Sequence, residues 1–387
     1  LLCTVFKSIT PFHPLAYKFL KKKRYEFGNL QAYDAILLRS YNLHGEDLPA
    51  SVCAVARAGV GVNNIPVADL TEKGVVVFNT PGANANAVKE LVLMSLFASS
   101  RNLFPAVAWT HSLQGKDLSI VEVEKKRFVG TEIRGKKLGV IGIGAIGVLV
   151  ANDATSLGMD VFAYDPFISV DTAWQLSRDV QRVHSLEEIF RTCDFVTLHV
   201  PLTEATRELL DRKAFEQMKP GMKMLNFARG ELVNEEELMR ALEEEIVATY
   251  ITDFPTDDLL GARNVVSIPH LGASTYESEV NCAVMAANQL KQYLETGNIQ
   301  NSVNFPNVYM PFTGRKRITV IHQNIPNMVG QITSILASES LNIADMMNRS
   351  KGPWAYTLID LDQEMKDENL VTEKLMQIDG VRRVRIL

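Results

Sequence analysis

The sequence predicts an α/β protein with two doubly wound parallel-sheet domains and a smaller ferredoxin-like domain at the C-terminal end. Residues 35–80 and 137–270 each alternate short apolar runs with turn residues and helical patterns, which is typical of buried parallel strands and their crossover helices. Residues 317–387 instead follow the order strand, helix, strand, strand, helix, strand. A chain of 387 residues is long enough for two or three such domains.

Composition excludes several classes of protein. A net charge of −5 argues against a main role in binding nucleic acid, and the basic run Lys21–Arg24 is typical of a solvated surface. No apolar run approaches the ~20 residues that span a bilayer. The four cysteines lack the spacing of a zinc site, which predicts reduced thiols and no metal. Residues 1–10 lack a signal-peptide pattern, so we expect a cytoplasmic protein.

A glycine-rich loop at 142–147 predicts a dinucleotide site of the Rossmann type. The loop has the GxGxxG pattern, follows the apolar strand 138–141 and opens a helix, so that phosphate would lie at the helix N-terminus. Asp165 ends the next strand, where a carboxylate binds both ribose hydroxyls and repels a 2′-phosphate; this favours NAD over NADP. A plain flexible loop with Asp165 as a cap is the alternative. The expected cofactor-binding residues here are Gly142, Gly144, Ala145, Ile146, Gly147 and Asp165.

Three later segments offer the groups that hydride transfer from an alcohol needs. These groups are a base for the hydroxyl proton and a cation for a carboxylate or a developing ketone oxygen. The segments are 226–230, 253–258 and 269–275, and each follows an apolar strand. Open α/β sheets bind their ligands at the carboxyl ends of such strands.

With these motifs the chain resembles the D-isomer-specific 2-hydroxyacid dehydrogenases over nearly its whole length. That family uses an arginine, an acid and a histidine in this order, which carries over to Arg229, Asp257 and His270. The resemblance implies that Arg229 binds the substrate carboxylate and C2 oxygen, and that His270 takes the hydroxyl proton. The family's usual acid is glutamate, whereas this chain has Asp257-Asp258 in a shortened loop. The carboxylate assignment could therefore shift by one residue. A loop or helix-capping role is the alternative for Asp257.

The resemblance also implies the domain organisation. A helix predicted over 277–296 would pack back against the first domain, and a linker at 298–314 with Pro306 and Pro311 would precede the last one. The expected domains are a flavodoxin-like substrate domain at 1–85 and 277–307, a Rossmann NAD-binding domain at 86–276, and a regulatory ACT domain at 315–387.

Further family segments suggest substrate and cofactor contacts. Arg39 with Ser40 resembles the pair that binds a substrate phosphate, and a surface salt bridge is the alternative. The glycine loop 59–64 could bind a carboxylate through its backbone N–H groups, and Asn84 could add a hydrogen bond, with ordinary turns as the alternative for both. The residues added to the site are Arg39, Ser40, Val60, Gly61 and Asn84 for the substrate, and His199 and Pro201 for the cofactor, with a purely structural role as the alternative for His199.

The C-terminal segment resembles the serine-binding positions of the family's ACT domains. His322, Asn324 and Asn342 offer donors and acceptors suited to an amino acid, so feedback by L-serine is the hypothesis. A dimerisation module without ligand is the alternative. Either interpretation implies a homo-oligomer.

The resemblance therefore implies NAD-dependent oxidation of 3-phospho-D-glycerate to 3-phosphohydroxypyruvate, the first step toward L-serine. Another D-2-hydroxyacid dehydrogenase, such as a hydroxypyruvate or 2-oxoglutarate reductase, is one alternative. The other is a non-catalytic NAD(H)-sensing protein, against which Arg229 and His270 argue.

Overall fold

The computed structural model describes residues 4–8, 25–27 and 33–387. The basic run Lys21–Arg24, predicted to be a solvated surface, and Cys3, one of the four cysteines predicted to be reduced, lie outside the described residues. The chain divides into two compact units, Leu1–Ala83 with Glu279–Leu387, and Asn84–Ser278. The first unit contains two separate sheets, and the second unit contains one.

The first sheet has five parallel strands in the order β2-β1-β3-β4-β5, the flavodoxin-like order. Its central strand Ala35–Leu38 is fully buried, because a parallel sheet is covered on both faces and its strands are apolar throughout. The elements are β1 Thr4–Ser8, β2 Tyr25–Phe27, β3 Ala35–Leu38, β4 Ala54–Arg57, α1 Val67–Glu72 and β5 Val76–Phe78.

The second unit is built on a seven-stranded parallel sheet. The strand order is β12-β11-β10-β9-β6-β7-β8. Strands β7 and β8 follow on one side of β6 and strands β9 to β12 on the other, as the predicted Rossmann fold requires. Ligands in such sheets bind beyond the carboxyl ends of the strands. The strands are β6 Lys137–Ile141, β7 Asp160–Tyr164, β8 Gln181–Arg182, β9 Phe195–Leu198, β10 Met222–Asn226, β11 Val247–Thr252 and β12 Val265–Ser267.

Helices join the strands of this second unit. The first of them is Ala85–Ser100. The helices are α2 Ala85–Ser100, α3 Leu103–His111, α4 Ile120–Glu124, α5 Ala145–Ser156, α6 Val170–Ala173, α7 Leu186–Thr192, α8 Arg212–Gln217 and α9 Glu235–Glu243, with 3₁₀ turns at Lys125–Phe128 and Gly230–Leu232.

The chain returns to the first unit along a 21-residue helix and ends in a four-stranded antiparallel sheet. The sheet order β14-β15-β13-β16 and the βαββαβ connectivity confirm the ferredoxin-like prediction. The elements are α10 Tyr276–Thr296, β13 Arg317–Gln323, α11 Met328–Ser338, β14 Ile343–Lys351, β15 Trp354–Leu361, α12 Glu368–Met376 and β16 Val381–Ile386.

The C-terminal sheet and the five-stranded sheet share one hydrophobic core. Leu37 and Phe78 of the first sheet belong to the same buried cluster as Tyr293 of α10 and Tyr356 of β15. The Tyr356 hydroxyl donates a hydrogen bond to the Gly297 carbonyl at 2.6 Å. A shared core of this kind joins the two sheets more firmly than a flexible linker would.

A buried arginine reinforces this junction. Arg317 is fully buried and pairs with Asp360 through two contacts of 2.5 and 2.7 Å. Its remaining N–H groups donate to the carbonyls of Thr296, Met310 and Pro311. The guanidinium therefore ties the end of α10 and the predicted linker to β13 and β15.

No single helix in the described residues is long and apolar enough to cross a membrane. Helices α2 and α3 reach the necessary length and apolar composition only when taken together, and their axes are bent by 68° relative to each other.

Candidate active site

The glycine loop begins where β6 ends, and two of its glycines are required by close approach. Gly142 has a φ of 93°, and a Cβ there would lie 2.7 Å from the His199 backbone. A Cβ on Gly147 would lie 2.0 Å from the Gly142 carbonyl oxygen, inside the first turn of α5. Gly144 instead faces open space and Ala145 is exposed. The loop therefore leaves room for a pyrophosphate at the N-terminus of α5.

Asp165 lies at the carboxyl end of β7, held beside this loop. Its Oδ2 accepts a hydrogen bond from the Ile143 N–H at 2.8 Å, and its Oδ1 accepts one from the Phe167 N–H at 2.8 Å. Each carboxylate oxygen keeps a further lone pair, and the side chain is only partly buried. The carboxylate is thus positioned to accept hydrogen bonds from a ribose diol.

His199 follows β9 and faces the same loop. Its Nε2 lies 3.0 Å from the Thr197 hydroxyl, while its buried Nδ1 has no hydrogen-bond partner. Burial lowers the pKa of His199 to about 3, so the imidazole is neutral at physiological pH. Pro201, two residues further on, is exposed, and its carbonyl accepts a hydrogen bond from the Thr206 hydroxyl. The unpartnered nitrogen and the open loop both fit a bound dinucleotide.

We expect Asp165→Asn to weaken NADH binding roughly 10- to 100-fold, the effect of losing a charge-assisted hydrogen bond. NADPH binding should change less, because the repulsion between carboxylate and 2′-phosphate disappears. Fluorescence titration with both cofactors measures the two affinities. Asp160→Asn, at the exposed start of the same strand, is the control. Unchanged NADH affinity in Asp165→Asn would contradict the assignment.

Arg229 lies on the turn that follows β10. The buried Asn226 shapes this turn, because its side-chain amide donates to the Arg229 carbonyl at 2.8 Å and its Oδ1 accepts from the Ala228 N–H. The Asn226 amide also contacts the Tyr250 hydroxyl. The Arg229 side chain is exposed, and among the described residues its guanidinium donates a hydrogen bond only to the carbonyl of Ala228. Its guanidinium is thus available to an anion.

His270 follows β12 and is exposed, with its ring packed against Phe254 at a centroid distance of 4.8 Å. The carboxylate brought to this loop is that of Asp253, which directly follows β11 and is 1% exposed. Its Oδ2 accepts a hydrogen bond from the Gly272 N–H at 2.9 Å, and its Oδ1 has no partner. Burial raises the pKa of Asp253, and the Gly272 N–H and the charge of His270 oppose part of that shift.

Asp257, predicted as the partner of His270, lies on an exposed turn. No hydrogen bond or ion pair joins its carboxylate to His270 within residues 33–387, whereas Asp253 lines the same cavity as His270. The pairing with Asp257 stays a prediction that this geometry does not favour. Segment 253–258 brings Asp253 to the cavity wall, and the sequence alone could not show which of its carboxylates turns inward.

A cavity of about 530 Å³ lies at the carboxyl ends of β10 to β12. His270 and Asp253 contribute to its wall, and Gly230 brings the Arg229 turn to its edge. Its other charged or ionisable lining residues are Arg207, Glu208, Glu231, Glu235 and Tyr250.

The first unit holds Arg39, Ser40 and the glycine loop 59–64, which were predicted to bind the substrate. Arg39 follows β3 and forms an ion pair with Glu279 at 2.7 Å, so the predicted salt-bridge alternative is present in this structure. Ser40 and Val60 are exposed, and Gly61 is partly exposed. Asn79 braces the loop by donating to the Val60 carbonyl at 2.7 Å.

Arg57 was not predicted, yet it lies against this loop. It ends β4, and its Nε donates to the Arg39 carbonyl at 3.1 Å. The signal that could have identified it is its position two residues before Gly59.

Asn84, in the second unit, is the N-cap residue of α2, and its side chain makes no capping hydrogen bond.

The predicted serine positions are not brought together in one chain. His322 is buried, and its nitrogens contact the Gln323 carbonyl at 2.8 Å and the Thr357 hydroxyl at 2.9 Å. Burial also lowers the pKa of His322. Asn324 lies beside Gly352, before β15, whereas Asn342 binds Asp362, just after it. The eight residues of β15 separate them by roughly 25 Å, at about 3.3 Å per residue.

A Rossmann sheet with an open glycine loop, a carboxylate at the end of β7 and a cavity lined by a histidine and a carboxylate is the arrangement of an NAD-dependent dehydrogenase. The NAD-binding domain of the D-isomer-specific 2-hydroxyacid dehydrogenases matches residues 93–272. D-3-phosphoglycerate dehydrogenase of Haemophilus influenzae is 34% identical over 341 residues, which cover 85% of this chain and 79% of that protein. The chain therefore belongs to the D-isomer-specific 2-hydroxyacid dehydrogenase family.

Further comparisons point to one branch of the family. D-3-phosphoglycerate dehydrogenase of Methanocaldococcus jannaschii is 36% identical over 76% of this chain, which spans 55% of that longer protein. Among solved structures, NAD⁺-bound 3-phosphoglycerate dehydrogenase of Entamoeba histolytica is 26% identical, covers 79% of this chain and 99% of that one, and has a TM-score of 0.60. The relatives described are thus D-3-phosphoglycerate dehydrogenases.

Proposed function

We propose that this protein oxidises 3-phospho-D-glycerate at C2 to 3-phosphohydroxypyruvate with NAD⁺, the first step of L-serine synthesis. The observation that carries the proposal is that Arg229, Asp253 and His270 follow three neighbouring strands, β10, β11 and β12, in an NAD-binding sheet. The similarity to D-3-phosphoglycerate dehydrogenases supports the choice of substrate.

The residues divide the chemistry between them. NAD⁺, when bound by the glycine loop, Asp165 and the 199–201 segment, supplies the hydride acceptor. Arg229 binds the substrate carboxylate and the C2 oxygen through its planar fork. His270 accepts the C2 hydroxyl proton at a ring nitrogen. Asp253 holds the His270 loop through the Gly272 N–H, and its negative charge stabilises the positive charge that the ring gains as the proton is transferred.

Replacement of Asp253 by Asn tests the electrostatic part of this role. The amide oxygen can still accept the Gly272 N–H, but the negative charge near the reacting imidazole is lost. We therefore expect kcat for alcohol oxidation to fall roughly 10-fold or more, the effect of losing an interaction with a charged group. An unchanged kcat would contradict the role. Asp257→Asn is the matched comparison and is expected to leave kcat within about twofold of wild type.

A substrate panel tests the proposed reaction. Steady-state kcat/KM is measured with 3-phospho-D-glycerate, D-glycerate and D-2-hydroxyglutarate, each with NAD⁺. The phosphorylated substrate should be preferred. A preference for D-glycerate or D-2-hydroxyglutarate would support one of the other family reactions, and no turnover with any substrate would favour a binding protein.

Regulation by L-serine in a homo-oligomer is the finer part of the proposal. Asn324 and Asn342 lie at opposite ends of β15, so a ligand bound by both would need a second copy of the chain. The βαββαβ fold of the C-terminal sheet supports an ACT-type domain. Calorimetry with L-serine tests this proposal, and no heat at millimolar concentration would count against it.

The free, buried Cys53, Cys193 and Cys282 support a reducing, cytoplasmic location.

A further inference from the structure

Tyr250 is a buried tyrosine that is connected to the Arg229 turn by a hydrogen bond. It belongs to β11 and is 2% exposed. Its hydroxyl oxygen accepts a hydrogen bond from the side-chain amide of Asn226 at 3.2 Å, and the same amide donates to the Arg229 carbonyl at 2.8 Å. Since an amide has two hydrogens to donate, Asn226 can join the Tyr250 hydroxyl to the backbone of Arg229.

The same hydroxyl is connected to the segment that follows β11. Tyr250 also hydrogen-bonds to the side chain of Thr252, which lies two residues further along the strand and is fully buried. The Thr252 hydroxyl accepts a hydrogen bond from the Phe254 N–H at 3.1 Å, and the Phe254 ring packs against His270. One buried hydroxyl therefore lies between the turn that carries the cation and the ring that packs on the base.

The two segments are also in direct contact. A Cβ on Gly230, the residue after Arg229, would lie 3.3 Å from the Phe254 Cβ, so the turn packs closely against that side chain. The sheet register pairs Asn226 of β10 with Thr252 of β11. Packing and hydrogen bonds thus act on both segments at the same end of the two strands.

The Tyr250 hydroxyl remains protonated at neutral pH. Burial raises its pKa, and the hydrogen bonds with Asn226 and Thr252 oppose part of the rise. Removal of this hydroxyl would leave an N–H of the fully buried Asn226 without its acceptor, which is costly in a protein interior. The Asn226 side chain, and with it the Arg229 turn, would then relax.

We infer that Tyr250 is a positioning residue that sets where Arg229 lies relative to His270, acting through the Asn226 amide. The inference rests on the proposed function, in which Arg229 binds the substrate carboxylate. Tyr250 also lines the cavity, but its hydroxyl is used by Asn226 and Thr252. It therefore acts on the reaction through its neighbours, where small displacements of a binding group weaken catalysis strongly.

The first test is Tyr250→Phe, which keeps the ring and removes only the hydroxyl. We expect KM for 3-phospho-D-glycerate to rise roughly tenfold, with a smaller fall in kcat, because Arg229 holds the carboxylate both before and during the reaction. NADH affinity, measured by fluorescence titration, should not change. Tyr356→Phe is the matched control, because it removes a buried hydroxyl that bonds to Gly297 in the first unit, and it should leave KM unchanged.

The second test adds Tyr250→Phe to Arg229→Lys and separates positioning from a general structural effect. Lysine keeps the positive charge but lacks the planar fork that Tyr250 is inferred to place. The added change should therefore raise KM by less than about twofold, because residues that act through one network are not additive. A full tenfold rise in this background would show that Tyr250 acts elsewhere and would overturn the inference.

Unchanged KM in Tyr250→Phe, or an equal loss of NADH affinity, would also overturn it. The kinetics use whichever substrate of the panel the wild type prefers, so that the two proposals fail separately. A wild type that prefers another 2-hydroxy acid overturns only the proposed substrate, whereas one that turns over none of them overturns both.

Discussion

Replacement of His270 by glutamine is expected to lower kcat by roughly 10²- to 10⁴-fold, the usual contribution of a positioned general base. Glutamine can still hydrogen-bond to the substrate hydroxyl but cannot take its proton. NADH affinity should be unchanged, because the glycine loop and Asp165 lie on other strands. Steady-state kinetics and NADH fluorescence titration measure the two quantities.

His184→Gln is the control for this experiment, because His184 is an exposed histidine in the same unit. It should leave kcat within about twofold of wild type, as surface substitutions usually do. Full turnover in His270→Gln would remove the proposed base. No turnover in wild type, with NADH still bound, would instead support the NAD(H)-sensing alternative.

Replacement of Arg317 by methionine is expected to lower the free energy of unfolding of the first unit by about 3–5 kcal/mol. The change leaves Asp360 charged and 4% exposed, and it removes three hydrogen bonds to carbonyls at the junction of the two sheets. Urea unfolding followed by circular dichroism and tryptophan fluorescence measures the loss.

Arg315→Met is the matched control, because its ion pair with Asp362 is largely exposed. An exposed pair contributes about 0–1 kcal/mol, so this variant should unfold near the wild-type midpoint. The double variant Arg317→Met with Asp360→Leu should recover part of the lost stability, since no buried charge remains. Equal midpoints for Arg317→Met and Arg315→Met would show that the buried pair does not hold the junction.

The sequence predicted those features that depend on local pattern. Buried parallel strands are continuously apolar, so the strands around Leu37 and Val140 could be located from composition alone. The glycine loop was equally clear, because Gly142 and Gly147 satisfy steric demands that no other residue meets. The order of the strands in each sheet then follows from known α/β connections.

The features that the sequence could not predict depend on distant parts of the chain. Asp253 and His270 line one cavity because β11 and β12 pair in one particular register, in which Thr252 lies beside Ser267. Arg57 and Arg39 are neighbours only because β3 pairs with β4, which brings the Arg57 Nε to the Arg39 carbonyl. His322 has the residue type of a ligand-binding group, but burial against Thr357 uses its nitrogens internally.

The central claim is that this NAD-binding site serves a phosphorylated 2-hydroxy acid. The most direct measurement is the ratio of kcat/KM for NADH-dependent reduction of 3-phosphohydroxypyruvate to that of hydroxypyruvate by the wild-type protein. The expected phosphate contact of Arg39 is a charge-assisted hydrogen bond of about 1.5–3 kcal/mol, so the account predicts a ratio on the order of 10 or more. A ratio near unity, or a preference for hydroxypyruvate, would contradict it.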